Sequence, residues 1–114
     1  MCDVCKPILQ YFHSHDSHSE AFKDYFSALK NLRDMSFAEV IEFVAGDCKL
    51  TDIEKHIERE DMYTIKHYFR CKCNQIFFVG YCCRGWPICK IVDEIPTTEN
   101  YWDGKIGSYG SWKI

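Results

Sequence analysis

The residues of this chain best suited to chemistry are its eight cysteines and five histidines. Cys2-x2-Cys5 opens the sequence, and Cys71-x-Cys73, the adjacent Cys82 and Cys83, and Cys89 follow in its second half. Thiolates are good zinc ligands, and a structural zinc needs four donors converging on a tetrahedron, usually from two knuckles with a short spacer. Only Cys2 and Cys5 have the usual two-residue spacer. If the later segment is a strand, Cys71 and Cys73 share a face but stand about 7 Å apart, so sharing one ion requires a bend or bulge. Cys82 and Cys83 point to opposite faces of a strand, so one of the pair belongs to the core. The zinc sets that remain join Cys2 and Cys5 to Cys71 and Cys73, or to His13, His15 and His18 from the run HSHDSH. Against both stands packing: a free cysteine often serves as a small buried hydrophobe, and a histidine-rich run before a helix cap reads equally as a polar loop.

Catalytic arrangements are sparse. A nucleophilic cysteine needs a neighbouring base in an electropositive setting, and His67 with Cys82 or Cys83 is the one pair that strand patterning brings together. A hydrolytic use of His67 with Lys66 or Arg70 meets the difficulty that adjacent strand residues project oppositely. No glycine-rich phosphate loop, serine elbow or carboxylate pair is evident. The expectation is a protein that is not an enzyme.

The elements that must position these side chains are written in capping and periodicity. Three capping boxes, Ser17 to Glu20, Ser36 to Glu39 and Thr51 to Glu54, mark helix starts. After the first, Phe22, Tyr25, Phe26, Leu29 and Leu32 recur at helical spacing. The second is flanked by Met35 and Val40 as a hydrophobic staple and followed by Ile41, Phe43 and Val44 before Gly46, which predicts a short buried helix. The third has only Ile53 and Ile57 on its apolar side and is expected on the surface. Pro7 with Ile8, Leu9, Tyr11 and Phe12 suggests a further short helix at the N-terminus.

From Met62 the period changes to two. Tyr63, Ile65, His67, Phe69, Cys71 and Cys73 face one way, and Thr64, Lys66, Tyr68, Arg70 and Lys72 the other. Asn74 and Gln75 are read as a two-residue hairpin loop, which would set Cys73 opposite Ile76 and His67 opposite Cys82. IFFVGYCC, apolar on both faces, reads as a central strand and ICKIV as a third. The predicted fold is thus a single α+β domain over 1–114, with three to four short helices (1–60), an antiparallel three-stranded meander (61–96) and an aromatic-rich tail (97–114). Trp102, Ile106, Tyr109 and Trp112 are expected to pack that tail down.

Composition narrows the partner classes. Apolar residues make up 46% of the chain, which argues against disorder. No run approaches the length of a membrane helix and no export signal is visible, so the expectation is a cytoplasmic chain with reduced thiols. The net charge of −3 is uneven: residues 1–60 carry 7 basic and 12 acidic groups, residues 61–114 carry 7 and 5. The acidic half, with Glu20, Asp24, Glu39, Glu42, Asp47, Asp52, Glu54 and Glu58, suggests a non-enzymatic protein-binding domain, such as an inhibitor or immunity-type protein that neutralises a basic toxin or nuclease. The alternative is a zinc-stabilised domain that binds nucleic acid through Lys66, Tyr68, Arg70 and Lys72, in which cations hold phosphates and a ring stacks on a base.

Overall fold

A computed structural model of the chain describes residues 2–12, 17–61, 64–82 and 85–95. The expected packing of Trp102, Ile106, Tyr109 and Trp112 lies outside these residues. The elements run from a 3₁₀ helix at Lys6–Tyr11 to α1 (His18–Phe37), β1 (Ile41–Gly46), a 3₁₀ turn at Leu50–Asp52, α2 (Ile53–Arg59), β2 (Thr64–Cys71), β3 (Ile76–Cys82) and β4 (Ile88–Val92). The strands form one antiparallel sheet in chain order. The α+β class holds, with four strands among the described residues where sequence patterning predicts three.

Ser17 caps α1 as its sequence predicts: the hydroxyl accepts from the Glu20 amide at 3.1 Å. The buried stripe is Ala21, Tyr25, Ala28, Leu29 and Leu32, and burying each leucine contributes about 2 kcal/mol. Phe22 and Phe26 flank that stripe, and Phe26 remains 40% exposed.

The second capping box does not start a helix. Instead α1 runs through Ser36 to Phe37, and Glu39 takes a left-handed conformation with φ 60°. The Glu39 amide donates to Ser36 and the Val40 amide to Met35, which is the paired bonding of a Schellman helix end. Met35 and Val40, five residues apart, fit the staple of a helix start and the hydrophobic pair of a helix end equally well. Beyond that end, Ile41–Gly46 pairs with β2 as an edge strand. The register slips between Phe43 and Ala45, so Val44 is the extra residue of a bulge, a feature that protects sheet edges from further pairing.

The third box also differs in detail. Thr51 belongs to the 3₁₀ turn, and Asp52, without a side-chain cap bond, precedes α2. Ile53 is fully buried, and Arg33 of α1 clamps Glu54 with two bonds of 2.8 and 2.9 Å, so α2 is anchored more firmly than its sparse apolar side suggests.

Both faces of the sheet are buried. Ile65, Phe69, Cys71, Phe77 and Val79 meet α1, Ile8 and Ile53 on one face. Val44, Ala45, Tyr68, Ile76 and Phe78 form a second cluster, with Val92 and Ile95 packed against it.

His67 sits at the inner end of the β1–β2 ladder. Gly46 lies opposite it, and a Cβ there would fall inside the imidazole. The ring donates its Nε2 hydrogen to the Cys48 carbonyl at 2.8 Å. Beside it Asp47, fully buried, accepts from the Lys66 amide at 2.8 Å and pairs with the Lys66 ammonium at 3.1 Å. Burial pushes the His67 imidazole down to about 4. Since an unfolded histidine titrates near 6.5, the unfolded chain takes up the proton first. The contribution of the neutral His67 to stability is therefore fully present above about pH 6.5 and is lost, by roughly 3 kcal/mol, as pH drops towards 4.

Two outcomes follow for unfolding in urea. Gly46→Ala lowers stability by about 2 kcal/mol, because the imidazole must move. The parent protein loses stability between pH 6.5 and 4 more steeply than His67→Phe; equal slopes contradict the assignment.

Candidate metal centre

The hairpin joining β2 to β3 creates the site. Its loop is three residues, Lys72 to Asn74, because the Cys71 amide donates to the Gln75 carbonyl at 2.9 Å and the Asn74 amide to the Cys71 carbonyl at 2.8 Å. Asn74 adopts φ 74°, a left-handed conformation that asparagine tolerates better than most residues. This is the three-residue form of hairpin, a turn followed by one left-handed residue. The two-residue loop expected from the sequence is thereby corrected: Arg70 pairs with Ile76, and His67 with Val79.

The change of loop removes the obstacle to metal sharing. Cys71 closes β2 while Cys73 lies in the turn, so the chain bends between them. The N-terminal segment supplies the other half. The Lys6 amide donates to the Cys2 carbonyl at 3.1 Å, closing a tight loop around Cys2 and Cys5, and Pro7 starts the 3₁₀ helix that follows. Ile8 is buried in the core, and the Phe12 ring meets Phe77 edge-on at 5.5 Å, which fixes the segment on the sheet.

The sulfurs of Cys2, Cys5, Cys71 and Cys73 lie within 4.8 Å of one another. The Cys2 sulfur is 3.3 Å from that of Cys71 and 3.6 Å from that of Cys5, and the Cys5 sulfur is 3.6 Å from that of Cys73. A tetrahedral zinc with bonds of 2.3 Å has sulfurs about 3.8 Å apart, so to hold one ion the three short contacts must lengthen slightly and any pair nearer 4.8 Å must close up.

Electrostatics divide the four thiols. The Gln75 backbone N–H, followed by that of Cys2, pulls Cys73 down to about 6, and the Cys5 backbone N–H lowers Cys2. Burial pushes Cys5 up to about 12 and raises Cys71. Backbone amides aimed at the sulfurs compensate negative charge, as outer-shell donors do around thiolate metal centres. Cys5 and Cys71 are buried, Cys2 is half-buried and Cys73 is exposed. A cleft of about 420 Å³, lined by Ile41, Glu42, Arg70 and Lys72 among others, opens beside Cys71.

The other sequence candidates are placed elsewhere. His18, the first residue of α1, bonds the Gly85 carbonyl at 2.8 Å and packs on Phe22 and Trp86; His13 and His15 lie outside the described residues. Cys48 is buried and Cys89 half-buried, and desolvation pushes both thiols up to about 12. Cys82 pairs with Thr64, three ladder positions from His67 and roughly 10 Å along the strand, on the opposite face; Cys83 is not among the described residues. The proposed nucleophile and base are thus not neighbours for Cys82.

On the basic strand, Tyr68 is buried with its ring 4.8 Å from Phe78, instead of facing solvent. The β1 bulge and the second cluster account for this, since they cover the face that alternation leaves outside. Lys66 turns to Asp47, and Arg70 bonds Glu42 at 2.7 Å, while Lys72 is exposed in the turn. Of the acidic set, Asp47 is internal and Glu42 and Glu54 are held in ion pairs. Glu20 and Asp24 lie on α1, Glu39 at its end, and Asp52 and Glu58 around α2.

The site was legible from its residue types and from the requirement for a bend, but the bend itself was not. Its signal is Asn74, a residue suited to left-handed turns, placed one position after Cys73.

In metal-free, reduced protein at pH 7, brief iodoacetamide treatment followed by mass mapping labels Cys73 first, ahead of Cys5 and Cys48. Equal labelling of the three contradicts this ordering. No known protein family, curated protein or solved structure matches this chain, so its functional reading rests on the geometry of these four sulfurs.

Proposed function

We propose that this chain is a zinc-binding domain in which Cys2, Cys5, Cys71 and Cys73 hold one ion as a closed tetrathiolate centre. The observation that carries this reading is the convergence of four sulfurs within 4.8 Å from segments about seventy residues apart in sequence. Packing alone rewards burial of thiols, yet Cys73 is exposed and still turned towards the cluster. A four-sulfur set suits zinc or iron among common metals. With all four positions filled by protein, the role is structural, because a catalytic zinc keeps a position open for water or substrate. The ion clasps the N-terminal segment to the β2–β3 turn and stabilises the folded state by its binding free energy.

The domain would then act by binding a protein. That second reading is favoured by large apolar side chains left at the surface, among them Phe37 at 60% exposure and Trp86 and Ile88 at 48% each, since aromatic residues are enriched at protein interfaces. The nucleic-acid alternative has less support, because the stacking ring of Tyr68 is internal and Lys66 and Arg70 already have acidic partners.

Native mass spectrometry of protein purified without chelator tests the zinc reading. One zinc per chain is expected, lost on chelation together with part of the thermal stability. Cys71→Ser weakens zinc binding by at least ~100-fold, whereas Cys89→Ser leaves it unchanged. Metal-free protein with eight free thiols, or iron in place of zinc, overturns the proposal.

A further inference from the structure

Accessibility and distance within the cluster are paired. The two contacts that bridge the segments are Cys2 with Cys71 at 3.3 Å and Cys5 with Cys73 at 3.6 Å. Each joins a more accessible sulfur, Cys2 or Cys73, to a buried one, Cys71 or Cys5. An electrophile arriving from solvent therefore meets one member of each pair, with its partner already at contact distance behind it; Cys2 also lies 3.6 Å from Cys5, but reaction first at the exposed Cys73 engages Cys5 and leaves Cys71, at 3.3 Å, for Cys2. The inference rests on the zinc reading, since bound zinc keeps all four sulfurs as thiolates, the form that reacts.

We propose that the centre is redox-exchangeable: a hydroperoxide converts it from a zinc clasp into a disulfide clasp linking Cys5 to Cys73 and Cys2 to Cys71. In the first step the Cys73 thiolate attacks the terminal oxygen of the peroxide and the O–O bond breaks. Cys73 becomes a sulfenic acid, and the departing alkoxide takes a proton to leave as an alcohol. The Cys5 thiolate then attacks the Cys73 sulfur and expels hydroxide, which is protonated to water. Two sulfurs have each lost one electron and the peroxide has gained two. A second peroxide does the same at Cys2, with Cys71 as the resolving thiolate. Zinc, deprived of its thiolates, leaves as the hydrated ion.

Both disulfides join the same two segments that the metal joins. The N-terminal segment, with Ile8 and Phe12 seated on the core, therefore stays tethered after the metal has gone. The exchange changes the charge and accessibility of the turn while preserving the fold beneath it. It also gives the chain a stable form under either reducing or oxidising conditions.

The test uses the full chain in its zinc-loaded state, titrated with tert-butyl hydroperoxide. Zinc release is followed with a chromogenic chelator, and disulfides are mapped by mass spectrometry after alkylation. Zinc should leave in step with a Cys5–Cys73 link, then a Cys2–Cys71 link, with helix content retained by circular dichroism. Cys82→Ser should behave as the parent does. Retained zinc, a Cys2–Cys5 link, sulfinic acid at Cys73 or loss of the fold on oxidation each overturns the exchange while leaving the zinc reading intact. A chain that holds no zinc before peroxide is added overturns both.

Discussion

The three-residue turn between β2 and β3 is the constraint on which the site depends. Its left-handed Asn74 and the bond from the Cys71 amide to Gln75 reverse the chain within the span of two cysteines. An extended chain would hold those sulfurs about 7 Å apart and leave one of them without a role. The turn also sets the register of β2 on β3, and with it the placing of Phe69 and Phe77 under α1. One local backbone choice thereby organises both the central hairpin and the sulfur cluster. The N-terminal segment can complete the cluster because Pro7 starts its 3₁₀ helix and Ile8 and Phe12 give it independent purchase on the core.

The inner end of the β1–β2 ladder shows a second kind of economy. A neutral buried histidine, a glycine that makes room for its ring and an Asp47–Lys66 pair occupy neighbouring positions. A buried ion pair is weak evidence for stability, because desolvation opposes its attraction. Here Asp47 also accepts the Lys66 amide, so the carboxylate continues the strand pairing beyond Gly46. The arrangement explains why Asp47 and Lys66, which composition alone assigns to two opposite partner surfaces, instead satisfy each other.

Much of the fold was legible in the sequence, and the failures have definite causes. Ser17 capped the helix it predicted, and the alternation after Met62 marked β2, because both signals are local. Ile41–Gly46 reads as helix in the sequence because Met35 and Val40 fit a helix start and a helix end with the same spacing, and only backbone conformation at Glu39 separates the two. Tyr68 reads as solvent-facing in the sequence because alternation gives the two faces of a strand without saying that both are covered. For the metal centre, the four cysteines could be named as one candidate set. Their convergence could not be, since it depends on a turn one residue longer than the simplest hairpin and on a contact between residues 69 positions apart.

In the proposed centre the four sulfurs form the whole coordination shell of one ion. Extended X-ray absorption fine structure at the zinc edge of the purified protein addresses this most directly. Four sulfur scatterers at about 2.3 Å, with no nitrogen or oxygen in the shell, are the predicted result. A mixed shell of sulfur with histidine nitrogen or water, or protein with no bound zinc to measure, would contradict the account.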